Sequence, residues 1–237
     1  MAHRPAPTDL SRVHARSTVQ KAVFWGLHMG IVAFAVWLAL LGGLERLTGG
    51  AWSFGDPVRA RILVLCALLY ALRHFLTLFY LLMRQVAWGE VFGLLAFMAL
   101  FEIGLLLVGG GAFHASPIPL GGLDMVALGL LLVGSYLNTF SEIQRKWWKA
   151  DAANKGHCYT QGLFRHSMHI NFFGDMVLFT GWCLFTHTAW TLALPLLMSA
   201  MFVFLHIPGL DRYLADRYGV EFTAYAAKTK KLIPFVY

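Results

Sequence analysis

Six stretches of this chain are apolar for long enough to cross a bilayer, at about 22–44, 62–83, 88–113, 122–140, 170–186 and 189–210. A membrane-crossing helix needs roughly 20 mostly apolar residues. Hydrocarbon offers no partner for backbone N–H and C=O groups, so segments of this kind satisfy them internally by coiling. Only 13% of the 237 residues are charged, about half the share found in soluble domains. No stretch is left over for a large soluble domain. The expectation is an all-α, polytopic membrane helical bundle of about six to seven transmembrane helices. The third stretch includes Gly109, Gly110 and Gly111, before which its helix can end.

Basic residues orient the bundle. With six spans and a cytoplasmic N-terminus, the inside segments are 1–21, 84–87, 141–169 and 211–237, and they hold 15 of the 19 Lys and Arg residues. Arg46, Arg59 and Arg61 fall outside, and Arg73 lies within a span. Both termini are therefore expected in the cytoplasm, in a bacterial inner membrane. The formal net charge of +7 follows from this topology and from anionic lipid headgroups, with no need for nucleic acid. Residues 1–21 read as a polar cytoplasmic segment without a cleavable leader. Residues 22–237 read as one membrane domain, with a cofactor-binding half over about 135–237. Cys66, Cys158 and Cys183 are scattered and form no Cys-x-x-Cys pair, which argues against structural disulfides and a cysteine-based zinc site.

Polar groups inside spans carry the functional signal, because they are costly there. In LLYALRHFLTLFY, spacings of three and four place Tyr70, Arg73 and His74 on one helical face. Arg73 beside Tyr70 assists a phenol that donates a hydrogen bond or a proton; alternatively it pairs with Glu102 or Glu90. Glu102 is the one carboxylate of MALFEIGLL, either a counter-ion for Arg73 or an acid kept protonated by apolar surroundings. Glu45 and Arg46 read as an interfacial cap. His28 and His206 read as satisfied core histidines.

The fourth stretch leaves the membrane as GSYLNTFSEIQRKWWKADAANKG. With Asn138 at zero, Glu142 falls near about 40°, Arg145 near about 340° and Lys149 near about 20° around a helix. One stripe thus carries an amide, a carboxylate and two cations. A solvated face accounts for Arg145 and Lys149 but leaves Asn138, at membrane depth, without a reason. A groove wall for a long polar ligand accounts for all four, with Asn and Glu for amide or ribose groups and Arg and Lys for phosphates. Asn171 and Asp175 repeat the spacing in QGLFRHSMHINFFGDMVLFTGW. Gly174 between them lets a ligand or another backbone approach closely. Helix capping by Asn171, with Asp175 favourably near the helix dipole, is the competing explanation, but capping needs only one polar residue at the start. No Gly-x-Gly-x-x-Gly follows a strand and no phosphate-binding loop of the Walker type is present. His166 and His169 form a single His-x-x-His, too little for a di-iron site.

These residues resemble the integral-membrane steroid 5-alpha-reductase family and its bacterial relatives, within the wider group that includes isoprenylcysteine carboxyl methyltransferases. The similarity runs through Asn138-Thr-Phe-Ser141-Glu142, Gly162-Leu163-Phe164, Asn171-Phe-Phe-Gly174-Asp175 and Leu232-Ile-Pro-Phe-Val-Tyr237, with a shorter match at Tyr70-Ala-Leu-Arg73. The resemblance implies NADPH bound by Asn138, Glu142, Lys149, Tyr159 and Asn171, with Asp175 close by and Arg145 on the same stripe. Arg212 and Tyr218 would touch the nucleotide. It also implies that Tyr70 hydrogen-bonds a substrate carbonyl, polarising an enone for hydride addition. Glu142 stands where that family usually has Asp, and Lys149 where it tends to have Arg. Glu102 and Glu45 are the candidates for the glutamate that assists the tyrosine.

The expectation is an NADPH-dependent membrane oxidoreductase acting on an activated C=C bond of a lipophilic substrate from the bilayer. A membrane methyltransferase using S-adenosylmethionine is the alternative, resting on the loose match of Met168-His169-Ile170-Asn171-Phe172-Phe173-Gly174-Asp175 to that arm's motif. A non-catalytic lipid-binding protein of the same fold is the third reading.

Overall fold

The computed structural model describes residues 15–113 and 117–237. The expected polar segment 1–21 lies outside the described residues as far as position 14. The described chain is helix and loop, without a strand. Helices α1 (Thr18–Leu40), α2 (Gly43–Leu47), α3 (Pro57–Phe75), α4 (Trp88–Gly109), α5 (Gly122–Ala150), α6 (Ile170–Leu184), α7 (Ala193–Met201), α8 (Ile207–Tyr218) and α9 (Val220–Ala226) follow in order. Five helical stretches are long and apolar enough to cross a membrane: Thr18–Leu40, Pro57–Leu81, Trp88–Gly109, Gly122–Ala150 and Ala189–Tyr218. Ile170–Leu184 is apolar but shorter. The protein is a multi-pass membrane helical bundle, as the apolar runs imply.

The boundaries differ from the sequence reading in informative ways. α1 begins at Thr18 and stops at Leu40, because Gly42 turns the chain with φ 68° into α2. A side chain on Gly43 would collide with the Trp37 ring at 2.5 Å. α5 runs unbroken to Ala150, so the whole Asn138-to-Lys149 stripe is helical.

The chain divides into two compact units. The first holds the described residues up to 127 together with 182–191. Here α1, α3 and α4 pack against one another. Along α3, Ala60, Leu63, Val64, Ala67 and Ala71 are buried while Leu65, Leu68 and Leu72 stay exposed. Spacings of three and four put the small residues on the packed face, where they let helix backbones come close. The exposed leucines make the opposite face suited to lipid. α3 starts cleanly because Asp56 accepts the Arg59 N–H at 3.0 Å and Pro57 opens the helix.

One end of this unit is tied by an ion cluster that the sequence reading missed. Arg59, 1% exposed, donates two hydrogen bonds to Asp124, 0% exposed, at 2.6 and 2.9 Å. Its guanidinium also donates to the Phe185 carbonyl at 2.9 Å and to the Ile118 carbonyl at 3.0 Å. His187 Nε2 reaches Asp124 at 2.8 Å, from a backbone at φ 54°. A buried pair needs this complete a set of partners, since each ion has given up its water. Arg59 is thus a structural clamp, where the sequence reading counted it only as an outside charge.

The second unit holds 128–181 and 192–237. α5 and α6 cross at two glycines. A side chain on Gly134 would sit 2.3 Å from the Leu178 nitrogen, and one on Gly174 would sit 2.5 Å from the Asn138 nitrogen. The close approach that Gly174 permits is therefore to a neighbouring backbone. Near the other end of the unit, Phe202–His206 opens into a wide π-turn ahead of Pro208, whose missing N–H interrupts the regular ladder. The C-terminal segment is stitched to the loop before α6. Met168 and His169 donate backbone N–H bonds to Lys230 and Lys231 carbonyls at 2.8 and 3.1 Å, and Ser167 donates to Leu232 at 2.7 Å.

Candidate functional site

In the second unit, the stripe on α5 meets α6 and α8 in turn. Asn138 Nδ2 donates to the Asn171 carbonyl at 3.0 Å, and Asn171 Nδ2 donates to Glu142 Oε1 at 3.0 Å. The two helices are laced amide to carbonyl and amide to carboxylate. Asn171 therefore does not cap α6; its side chain is spent on Glu142. Glu142 is also bound by Arg145 one turn on, and the Arg145 guanidinium lies 5.6 Å from the Phe164 ring. Asp175 is half-buried, one turn beyond Asn171.

Farther along, Lys149 Nζ meets the Tyr218 hydroxyl at 3.0 Å, its ring at 4.7 Å, and the His157 carbonyl. Arg217 lies 5.5 Å from the same Tyr218 ring and donates to the Tyr213 hydroxyl at 2.6 Å. Two cations thus converge on one phenol. Arg217 and Tyr213 were not assigned roles from sequence, although their spacing of four on an amphipathic helix was a usable signal. Tyr159 is buried between Trp148 and Phe164, at 5.3 and 5.6 Å ring to ring. Its hydroxyl lies 2.6 Å from where a side chain on Gly162 would begin. Burial pushes the Tyr159 phenol above its ordinary range, so it stays a neutral donor. Arg212 is exposed on α8.

Nearby, His169 Nε2 contacts Asp211 at 2.8 Å and Lys231 lies 3.2 Å from the same carboxylate. This trio joins the start of α6, α8 and the C-terminal segment. Among the described residues, no group of three or more His, Cys, Asp or Glu side chains is arranged to hold a metal ion.

The first unit brings Tyr70, Arg73 and Glu102 into one region, with His74, which shares the helical face of Tyr70 and Arg73, and with His28, which reads from sequence as a satisfied core histidine. Tyr70 is walled by Phe101 at 5.4 Å and Trp182 at 5.9 Å, and its ring stands 5.7 Å from His28. Arg73 lies over the Tyr70 ring at 5.6 Å. Glu102 takes His28 as a partner, Nε2 to Oε1 at 2.7 Å. Glu90, the other candidate, is held by Arg84 at 2.8 Å. The second nitrogen of His28 meets His74 Nδ1 at 2.7 Å. His28 is therefore not a solitary core histidine but the middle member of a three-helix chain. Glu45 sits apart on α2.

A phenol beside a cation, in an apolar wall, is a hydrogen-bond donor suited to a carbonyl oxygen that gains charge. A half-exposed ladder ending in two cations and two phenols suits a polar ligand with phosphate groups. No curated protein matches the chain. The model of a family described as a protein of unknown function, DUF1295, matches residues 12–229, and the chain belongs to that family.

Proposed function

We propose that this protein is a membrane reductase of the steroid 5-alpha-reductase type, saturating an activated C=C bond of a lipophilic substrate with NADPH. The observation that carries this reading is the convergence of Lys149 and Arg217 on Tyr218 at the end of the Asn138–Asn171–Glu142 ladder. The donor set fits a dinucleotide. Lys149 and Arg217 offer charge to phosphates, Glu142 accepts from ribose hydroxyls, and the Asn side chains offer both donor and acceptor. Lys149 would exchange the His157 carbonyl for phosphate oxygens, a better partner for an ammonium. NADPH, when bound, supplies a hydride.

The protein's own part is to polarise the acceptor. Tyr70 donates to the carbonyl oxygen of an enone, drawing electron density from the β carbon. Arg73, positioned over the Tyr70 ring, favours the phenolate character that grows as the bond tightens. Phe101 and Trp182 keep water from the phenol. The substrate enters from the bilayer, as an apolar bundle permits. The 15 basic residues of the inside segments support a cytoplasmic cofactor side in a bacterial inner membrane.

The test is binding of NADPH and of S-adenosylmethionine, side by side, to the detergent-purified chain and to Lys149→Ala. NADPH binding that weakens at least tenfold in Lys149→Ala supports the reductase. Binding of S-adenosylmethionine alone assigns the protein to the methyltransferase arm, and binding of neither favours a non-catalytic lipid-binding role.

A further inference from the structure

The chain of side chains linking α1, α3 and α4 has a property that inter-helix adhesion does not require. Its members are all titratable and all buried: His28 at 0%, Glu102 at 2% and His74 at 8% exposure. They are joined in series by two bonds of 2.7 Å each. The two terminal atoms, His74 Nε2 and Glu102 Oε2, are buried and have no protein partner. Simple adhesion between membrane helices is served by one amide or hydroxyl bond. Three ionisable groups in a row, with both ends left for something other than protein, point to proton movement.

The bond pattern allows only coupled states. When Glu102 carries its proton on Oε1, it donates to His28 Nε2. His28 then holds its proton on Nδ1 and donates to His74 Nδ1, and His74 must carry its own proton on Nε2. When Glu102 is a carboxylate, His28 donates through Nε2, its Nδ1 accepts from His74 Nδ1–H, and His74 Nε2 is bare. The two states differ by one proton, and that proton leaves or arrives at His74 Nε2.

We propose that Glu102, His28 and His74 form a buried proton relay that delivers through His74 Nε2 and recharges through Glu102 Oε2. For what consumes the proton, this rests on the reductase reading above; the coupling itself does not. Hydride addition to the β carbon of an enone leaves an electron pair shared by the α carbon and oxygen, and that pair takes one proton. In the relay the His74 Nε2–H bond breaks as the substrate C–H bond forms. The His28 Nδ1–H proton passes to His74 Nδ1, and the Glu102 O–H proton passes to His28 Nε2. Glu102 is left as a carboxylate and takes a proton from hydronium at Oε2; the first state returns once the carboxyl and both rings turn and the two imidazoles retake their first tautomers. Phe24, 4.3 Å from the His74 ring, helps hold that ring, while Tyr70 and Arg73 face the same cluster from α3.

The relay is tested on the full chain in lipid nanodiscs, with histidine ring nitrogens labelled with 15N. His28 and His74 should show complementary tautomers that exchange together as pH changes, and Glu102→Gln should abolish that exchange. Fixed tautomers that ignore both pH and Glu102→Gln overturn the proposal. With NADPH and an enone, Glu102→Gln should lower kcat on the order of 100-fold, leave NADPH affinity within about twofold, and change the solvent deuterium isotope effect on kcat. An unchanged kcat in both Glu102→Gln and His74→Gln also overturns it. If native protein binds no NADPH while the tautomers remain coupled, the reductase reading fails and the relay stands.

Discussion

The two units of this protein treat polar groups in opposite ways. The first hides them: Arg59, Asp124, His28 and Glu102 are at most 2% exposed, and each is held by short bonds from other helices or loops. The second buries His169 and Ser167 but leaves the ladder half-covered, as with Glu142, Lys149 and Tyr218, or exposed, as with Arg145 and Arg217. Buried charges must be fully partnered, because desolvation costs several kcal/mol per ion. Half-covered ones can trade partners with water or ligand at little cost. The difference separates a part of the molecule whose polar groups are locked to one another from a part whose polar groups can change partners.

Substitutions that remove one partner of an ion pair should expose this contrast most clearly. Arg59→Ala leaves the buried Asp124 with only His187 and the Gly121 N–H as partners, and should destabilise by about 3–5 kcal/mol in thermal unfolding of purified protein. Arg145→Ala, in the half-exposed pair with Glu142, should cost under about 1 kcal/mol. Equal losses in the two would erase the comparison. Gly134→Ala drives a methyl into the α6 backbone and should cost roughly 1–3 kcal/mol, measured the same way. Asn171→Ala removes one bond to Glu142 and should cost about 1 kcal/mol, while weakening NADPH binding by more than that loss alone.

The smallest effect concerns pH. The Cys158 backbone N–H, at 2.8 Å, and then His157, at 2.6 Å, hold the Glu221 carboxyl below its usual range. A carboxyl lowered by folding contributes stability above its unfolded value, about 4.3, and loses it as pH falls through the lower folded value. Glu221→Gln should therefore lower stability slightly at neutral pH and leave the acid end alone, so that the profile between them flattens. A steeper acid limb in the variant would contradict the assignment.

The ladder in the second unit was legible because each of its sides has a local period. Asn138 and Glu142, and likewise Asn171 and Asp175, are four apart, and four apart on a helix means one face. Their pairing across helices followed once two such faces existed in one bundle. His28 gave no comparable sign. Its partners lie 46 and 74 positions away, and nothing around it in VFWGLHMGIV distinguishes a relay member from a packed ring. Arg59 is similar, its carboxylate being 65 positions distant. Helix existence was readable from hydrophobic length alone. Helix ends were not, since they depend on single glycines such as Gly42 and on how far α5 continues as a helix once it turns polar.

The glycine crossing of α5 and α6 has a mechanical meaning. Backbones that touch across Gly134 and Gly174 cannot slide along one another without collision, but they can rock about the point of contact. That makes the crossing a fulcrum and the polar end of α5 a lever. Lys149 lies fifteen residues from Gly134, about 22 Å along the helix. A rocking of about 5° at the fulcrum moves Lys149 by roughly 2 Å, enough to break its bond to Tyr218. A molecule that holds α5 and α6 so rigidly in register can still open its charged mouth, and needs only a slight tilt to do so.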